Sequence, residues 1–440
     1  MPAPTYSGSS GWRAPTASGP LAARVELPGS KSLTNRELVL SALADGPSTL
    51  RRPLQARDTD LMVDALRQLG ASIERTDDGD LRITPAPVAG GADIDCGLAG
   101  TLMRFLPPVA LLADGPVRFD GDERARARPM ATTVLSLRAL GATVDDDGRG
   151  TLPFTVTGGD GVRGGRVTID ASGSSQFVSG LLLVGARLPD GIVIEHRGSR
   201  LPSTPHIDMT IDALRRRGAH AEEIGLEPPA ASWRVWPHRI RGREVSIEPD
   251  LSNAAPFLAA ALVAGGTVAV PGWPGETTQV GARLRELLAA FGAEVRREHD
   301  TLVVDGGAGA LARPLTAVDL DLSEAGELTP TLVGLAAFAD GRSTFTGIGH
   351  LRGHETDRLA ALAAELTAVG ATTTETEDGL VVDPGPLHTP AGPWGAYGDH
   401  RMATTGALLG LAVDGLTVDD IGTTSKTMPD FPDRWGRMLG

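Results

Sequence analysis

The chain has 440 residues, 41% of them hydrophobic, and a formal net charge of −14. Its length predicts two to three domains, and the absence of any apolar run of about 18 residues excludes a membrane span. The acidic balance argues against a dedicated nucleic-acid binder but leaves room for local clusters of cations that hold small anions.

Residues 1–20 carry no charged segment followed by an apolar one, so they are read as a poorly ordered lead-in and not as a secretory signal. The alternating run ARVEL then passes through Pro28 and Gly29 into a helical pattern that opens at Lys31. From there the chain repeats itself. A small-polar cluster, an apolar helical run and a Gly-terminated turn recur at Gly46, Gly115, Gly191, Gly266, Gly341 and Gly415, spaced 69 to 76 residues apart. After each comes a strand-like stretch and a second helical run closing in Gly70, Gly141, Gly218, Gly292, Gly370 or the terminal Gly440. Both sets of glycines fall where a helix calls for a left-handed C-terminal cap. Alternating runs such as LRITPA and TLVVDG complete five of the six copies. The repeat reads β-α-β-α-β-β, with apolar positions such as Val63, Leu66 and Leu69 at helical spacing. Three copies about a common axis make a domain, so six predict two α/β domains and not a dinucleotide-binding sheet. Cys96, the single cysteine, rules out an internal disulfide framework, reads as a packed small hydrophobe, and fits a reducing cytoplasm.

The chemistry gathers where the first helix of each copy begins. In order these starts read GSKSLTNR (29–36), GLAGTLMR (97–104), ASGSSQF (171–177), EPDLSNA (248–254), EAGELTP (324–330) and GDHRMAT (398–404). Small residues let a ligand approach the backbone, and the N–H groups of a helix start attract anions. Arg36, Arg104 and Arg401 add planar donors suited to carboxylate and phosphate. DERARARPM (122–130), HLRGHETDR (350–358) and TTSKTMPD (423–430) join them. Lysine occurs only twice, at Lys31 and Lys426. Other readings are weaker. His350 and His354 are four apart, but there is no HExxH and no third ligand for zinc. GSKS is not a nucleotide phosphate loop, because Val25 stands where that motif needs glycine.

Taken together, LPGSKSLTNR, GLAGTLMR, RARPM, GSSQF, HETDR, GDHRM and TSKTMPDF resemble the 5-enolpyruvylshikimate-3-phosphate synthase family, in order and over nearly the whole chain. The resemblance implies an inside-out α/β barrel fold of two domains. One would hold residues 1–28 and 246–440, the other 29–245, with the active site in the interdomain cleft. It implies transfer of the enolpyruvyl group of phosphoenolpyruvate to the 5-hydroxyl of shikimate 3-phosphate, with no metal or organic cofactor, by a cytoplasmic monomer without nucleic-acid or membrane partners. By the same resemblance Lys31 contacts phosphoenolpyruvate and the reacting hydroxyl, while Ser32, Arg36, Ser174, Ser175 and Ser203 hold the shikimate phosphate. Gln176 reaches the ring and phosphoenolpyruvate. Arg128, Arg358, Arg401 and Lys426 clamp phosphoenolpyruvate beside Gly100. Glu327 is the expected base at the hydroxyl, Glu355 the expected proton donor to C3, and His400 stabilises the phosphate side. Departures from the family pattern are Glu327 for aspartate, His354 for a lysine that contacts shikimate 3-phosphate, Leu98 for asparagine, Phe105 for proline and His206 for tyrosine. Two rival readings are a UDP-N-acetylglucosamine enolpyruvyl transferase, which would need a cysteine in DERARARPM, and a non-catalytic phosphate-binding repeat protein, which should have lost Glu327, Glu355 or a lysine.

Overall fold

A computed structural model describes residues 11–159, 161–199, 201–225 and 231–440. The chain divides into two units, one formed by residues up to Pro28 with Glu248–Gly440, the other by Gly29–Ile247. The second crossing falls after Ile247 and not after residue 245. The cause is the strand Glu244–Ser246, which pairs in parallel with Ser48–Arg51 and holds Ser246 opposite Arg51.

In Gly29–Ile247 three four-stranded sheets repeat one plan. Their strand orders are Glu244–Ser246, Ser48–Arg51, Leu81–Thr84, Ser72–Arg75; then Asp93–Asp95, Pro116–Asp120, Phe154–Thr157, Thr143–Asp145; then Gly165–Ile169, Ile192–His196, Ser232–Val235, Ala221–Gly225. In each, the first pair is parallel and the rest antiparallel. The other unit builds Leu21–Arg24, Gly266–Pro271, Thr301–Asp305, Glu294–Glu298 and Asp319–Asp321, Ser343–Thr346, Leu380–Asp383, Thr372–Glu375 in the same way. Its third copy is shorter: Trp12–Arg13 pairs antiparallel with Thr417–Val418. Residues 11–20 are therefore not the loose lead-in expected from the sequence. Trp12–Arg13 closes a sheet and Ala14 is buried. Residues 1–10 lie outside the described residues.

The first strand of the repeat is exchanged at both crossings. Leu21–Arg24 precedes the first copy in sequence but pairs with Gly266–Pro271 of the fourth, while Glu244–Ser246 precedes the fourth and completes the first. Two of the first helices are apolar on all sides and so belong inside: every residue of Ala255–Ala264 and of Thr329–Ala336 is buried. Second helices such as Arg57–Gln68 bury one stripe, Met62, Val63, Ala65 and Leu66. Gly70, Gly141, Gly218, Gly292 and Gly370 all have positive φ and end those helices as expected. The other set is mixed. Gly191, Gly266 and Gly415 have positive φ, whereas Gly46, Gly115 and Gly341 do not.

Candidate active site

In Gly29–Ile247 the anion-seeking residues sit at the starts of the inner helices, where unsatisfied N–H groups point outward. Ser30 caps the helix Lys31–Ala42 by accepting from the Leu33 N–H, and Lys31 is its first residue. The Lys31 ammonium lies 3.7 Å from the buried Asp58 carboxylate. Asn35 donates to Thr101 Oγ1 at 2.7 Å, tying this helix to Gly100–Val109. Gly100 opens the latter, and a β carbon there would stand 3.2 Å from Arg128 Nη1, 3.2 Å from Gln176 Oε1 and 3.3 Å from Arg104 Nη1. Three polar side chains from separate segments thus converge closely over Gly100, where a side chain would crowd them.

Gln176 opens its own helix, and its backbone N–H donates to Ser174 Oγ at 3.2 Å. Ser175 beside it is buried. Ser203 holds a φ of +54°, unusual for a residue with a side chain, and its carbonyl accepts from the His206 N–H. Arg36, expected on the shikimate phosphate, packs inside this unit. It is 1% exposed, and its guanidinium donates to Thr210 Oγ1 at 2.7 Å and to the Ser32 and His206 carbonyls at 2.8 Å each. The same group lies 5.1 Å from the Phe105 ring, the residue that replaces the family's proline. Arg36 therefore fixes the backbone around Ser32 from within.

In the unit of Glu248–Gly440 the ionised groups are paired. Asp399 is fully buried and caps the helix His400–Gly410 by accepting from the Arg401 N–H at 2.9 Å. Its carboxylate also takes Arg358 Nε at 2.7 Å and Nη2 at 3.3 Å. Arg358 reaches Glu355 Oε2 at 3.1 Å and His354 Nδ1 at 3.3 Å. Burial works to lower the pKa of this guanidinium, but Asp399 and Glu355 outweigh burial and raise it, so the charge is firmly held. Lys426 Nζ sits 2.5 Å from Glu355 Oε1. Glu327 Oε2 accepts from Arg401 Nη2 at 3.1 Å and from Ser252 Oγ at 3.0 Å. His400 Nδ1 lies 3.6 Å from Asp399.

The expected residues therefore assemble as Gly100, Arg128 and Gln176 with Arg104 in one unit, and as Glu355, Arg358, Lys426 and His354 beside the Glu327–Arg401 pair in the other. Among the described residues no group of three or more His, Cys, Asp or Glu could hold a metal ion.

Comparison with known proteins decides what this arrangement belongs to. The family model described as EPSP synthase (3-phosphoshikimate 1-carboxyvinyltransferase) matches residues 15–435. A 3-phosphoshikimate 1-carboxyvinyltransferase of Kocuria rhizophila is 52% identical over 98% of this chain and 96% of that protein. The chain belongs to the EPSP synthase family. Its reaction is enolpyruvyl transfer from phosphoenolpyruvate to shikimate 3-phosphate in the shikimate pathway. Among solved structures, an EPSP synthase from Acinetobacter baumannii superposes with a TM-score of 0.77 at 25% identity, covering 98% of this chain and 97% of that one. The enolpyruvyl transferase NikO from Streptomyces tendae, at 20% identity and a TM-score of 0.75 over 96% of each chain, shares the two-domain inside-out α/β fold. Family membership sets aside the UDP-N-acetylglucosamine reading.

The contacts of three residues beside the candidate site escape a reading of the sequence. Asp399, Asp58 and Ser252 each face a functional side chain, yet the partner lies 41, 27 or 75 residues away. Asp399 and Ser252 lie within helix starts that the sequence singles out, Asp399 directly before its helix in the pattern of an N-cap, whereas Asp58 carried no signal.

Proposed function

We propose that the residues named above divide the enolpyruvyl transfer as follows. Ser32, Arg36, Ser174, Ser175 and Ser203 hold the shikimate phosphate, Arg36 also supporting the turn that presents Ser32, while Gln176 and His354 meet the rest of that substrate. Arg128, Arg358, Arg401, Lys426 and Lys31 receive the carboxylate and phosphate of phosphoenolpyruvate, and Gly100 leaves the room. Glu327 takes the proton of the 5-hydroxyl as its oxygen bonds to C2, and Glu355 delivers a proton to C3. The tetrahedral adduct then loses phosphate from C2 and a proton from C3, with His400 steadying the departing phosphate, and the enol ether remains.

The pairing of acid and base with the cations of the site is the observation that carries this division. Arg401 and Ser252 hold one oxygen of Glu327 and keep it a carboxylate, the form a base needs. Glu355 must instead arrive protonated. The anionic groups of phosphoenolpyruvate compete for Lys426 and Arg358, and as these turn to the ligand Glu355 loses its counter-ions and accepts the proton it later gives to C3. We further read the enzyme as a cytoplasmic monomer, on the single buried cysteine and the family resemblance.

Phosphate release on mixing the protein with phosphoenolpyruvate and shikimate 3-phosphate tests the reading. Turnover is expected with that pair and none with UDP-N-acetylglucosamine as acceptor. No turnover with shikimate 3-phosphate overturns it.

A further inference from the structure

We propose that His196 is a positioning residue for the shikimate phosphate site, its ring joining the loop of Ser174 and Ser175 to the loop of Ser203. This deepens the assignment of those serines and rests on it. His196 ends the strand Ile192–His196 and lies opposite Ile169, the last residue of the parallel neighbour Gly165–Ile169. The two loops leave from the same end of these strands.

The ring spans them. Nδ1 accepts from the Ala171 N–H at 3.1 Å, and Nε2 is 2.9 Å from the Ser199 carbonyl oxygen. An Nδ1 that accepts carries no proton, so the proton on Nε2 is donated to the Ser199 carbonyl and one tautomer is selected. Below Ala171 the turn continues through the Ser174 N–H, which donates to the Ala171 carbonyl at 3.1 Å, to Ser174 Oγ and the Gln176 N–H. A rigid path of three hydrogen bonds therefore runs from His196 to the start of the helix Gln176–Gly185.

Packing alone does not ask for histidine here. Ile192, Ile194 and His196 share one face of the strand and are all buried, with His196 2% exposed. A third isoleucine would satisfy that face at lower desolvation cost, since a buried imidazole must find a partner for each nitrogen. Both partners it finds are main-chain groups of the two serine loops.

Calorimetric titration with shikimate 3-phosphate, with steady-state KM values for both substrates, tests this. His196→Ala is expected to weaken shikimate 3-phosphate binding about tenfold or more, while kcat and the KM for phosphoenolpyruvate stay within about threefold. His196→Asn places an amide oxygen near the Nδ1 position and keeps the Ala171 bond, so it should recover to within about threefold of the parent chain. If His196→Ala does not fold, His196→Leu, which fills the space but makes neither bond, carries the test: a loss of about tenfold confined to shikimate 3-phosphate supports the proposal and parent affinity overturns it. Parent affinity in the folded alanine variant, or losses shared equally by both substrates, overturns it. Ser175→Ala separates the premise. If it binds shikimate 3-phosphate as the parent does, the serine assignment falls and this inference with it. If it binds weakly while His196→Ala does not, only the role of His196 is wrong.

Discussion

Lysine survives at two positions, and both ammonium groups sit against a carboxylate in a confined place: Lys31 at 3.7 Å from Asp58, Lys426 at 2.5 Å from Glu355. A planar guanidinium is wider and always charged, so it fits such a seat poorly, and the proposed place of Lys31 beside the reacting hydroxyl asks for the compact ammonium. Lys31→Arg is therefore expected to fold, with a melting temperature within about 3 °C of the parent, yet to lose about a hundredfold in kcat/KM. A fully active variant would show that the scarcity of lysine carries no functional meaning. The proposed acid, Glu355, is tested separately. Glu355→Gln keeps the shape but cannot deliver a proton, so kcat should fall by about a hundredfold to ten-thousandfold while shikimate 3-phosphate affinity is retained. Calorimetry beside phosphate-release kinetics reads both quantities, and parallel losses would remove Glu355 from proton transfer.

Secondary-structure elements deliver these residues through close packing and anchored turns. The helices Gly100–Val109 and Gln176–Gly185 pack together at Gly180, where a β carbon would lie 2.1 Å from the Arg104 carbonyl oxygen. Gly180→Ala must push these helices apart, and with them Gly100 and Gln176. Overpacking of this kind costs about 1–3 kcal/mol, a drop of about 3–10 °C in melting temperature for a unit this size. Differential scanning calorimetry should show it, accompanied by a raised KM for phosphoenolpyruvate. The turn bearing Arg128 is held from Asp120, whose carboxylate takes Arg126 Nε and Nη2 at 2.8 and 2.9 Å, the Gly121 N–H at 2.8 Å and Arg118 Nη2 at 2.8 Å. The hydrogen bonds from Arg126, then those of Gly121 and Arg118, hold its carboxyl down at about 2 against the opposing effect of burial. A depressed carboxyl contributes stability that is complete above the usual carboxylate range near 4 and is lost as pH falls towards 2. The anchor is thus indifferent to pH from about 5 to 8. Asp120→Asn should raise the KM for phosphoenolpyruvate several-fold at neutral pH without moving its pH profile; a KM equal to that of the parent would show that Arg128 needs no such anchor.

At the scale of the molecule, the six copies and the helix starts were legible because period and composition are local: a glycine every 69 to 76 residues, small polar residues before an apolar run. What could not be read was pairing across distance. LAAR at 21–24 and EVS at 244–246 are short runs of ordinary composition, and nothing in them says that the first completes a sheet of the unit that resumes at Glu248 and the second the first sheet of Gly29–Ile247. The same holds for Asp399 beneath Arg358 and Ser252 beside Glu327, where type was visible and partner was not. The strand exchange makes a sharp claim about folding. Among the described residues, Gly29–Ile247 contains all twelve strands of its three sheets and a core drawn from its own residues. The other core takes Ala14, Leu21 and Val25 from the N-terminal segment. A fragment of residues 29–247 should therefore unfold cooperatively in urea by itself. A fragment of residues 248–440 should not, because removing Leu21–Arg24 bares the edge of Gly266–Pro271 and Trp12–Arg13 no longer pairs with Thr417–Val418. Joining residues 11–28 to 248–440 through a flexible linker should restore the transition. If residues 248–440 alone melt as sharply as the joined form, the exchanged strands are ornaments on two self-sufficient units and not the fastening the topology implies.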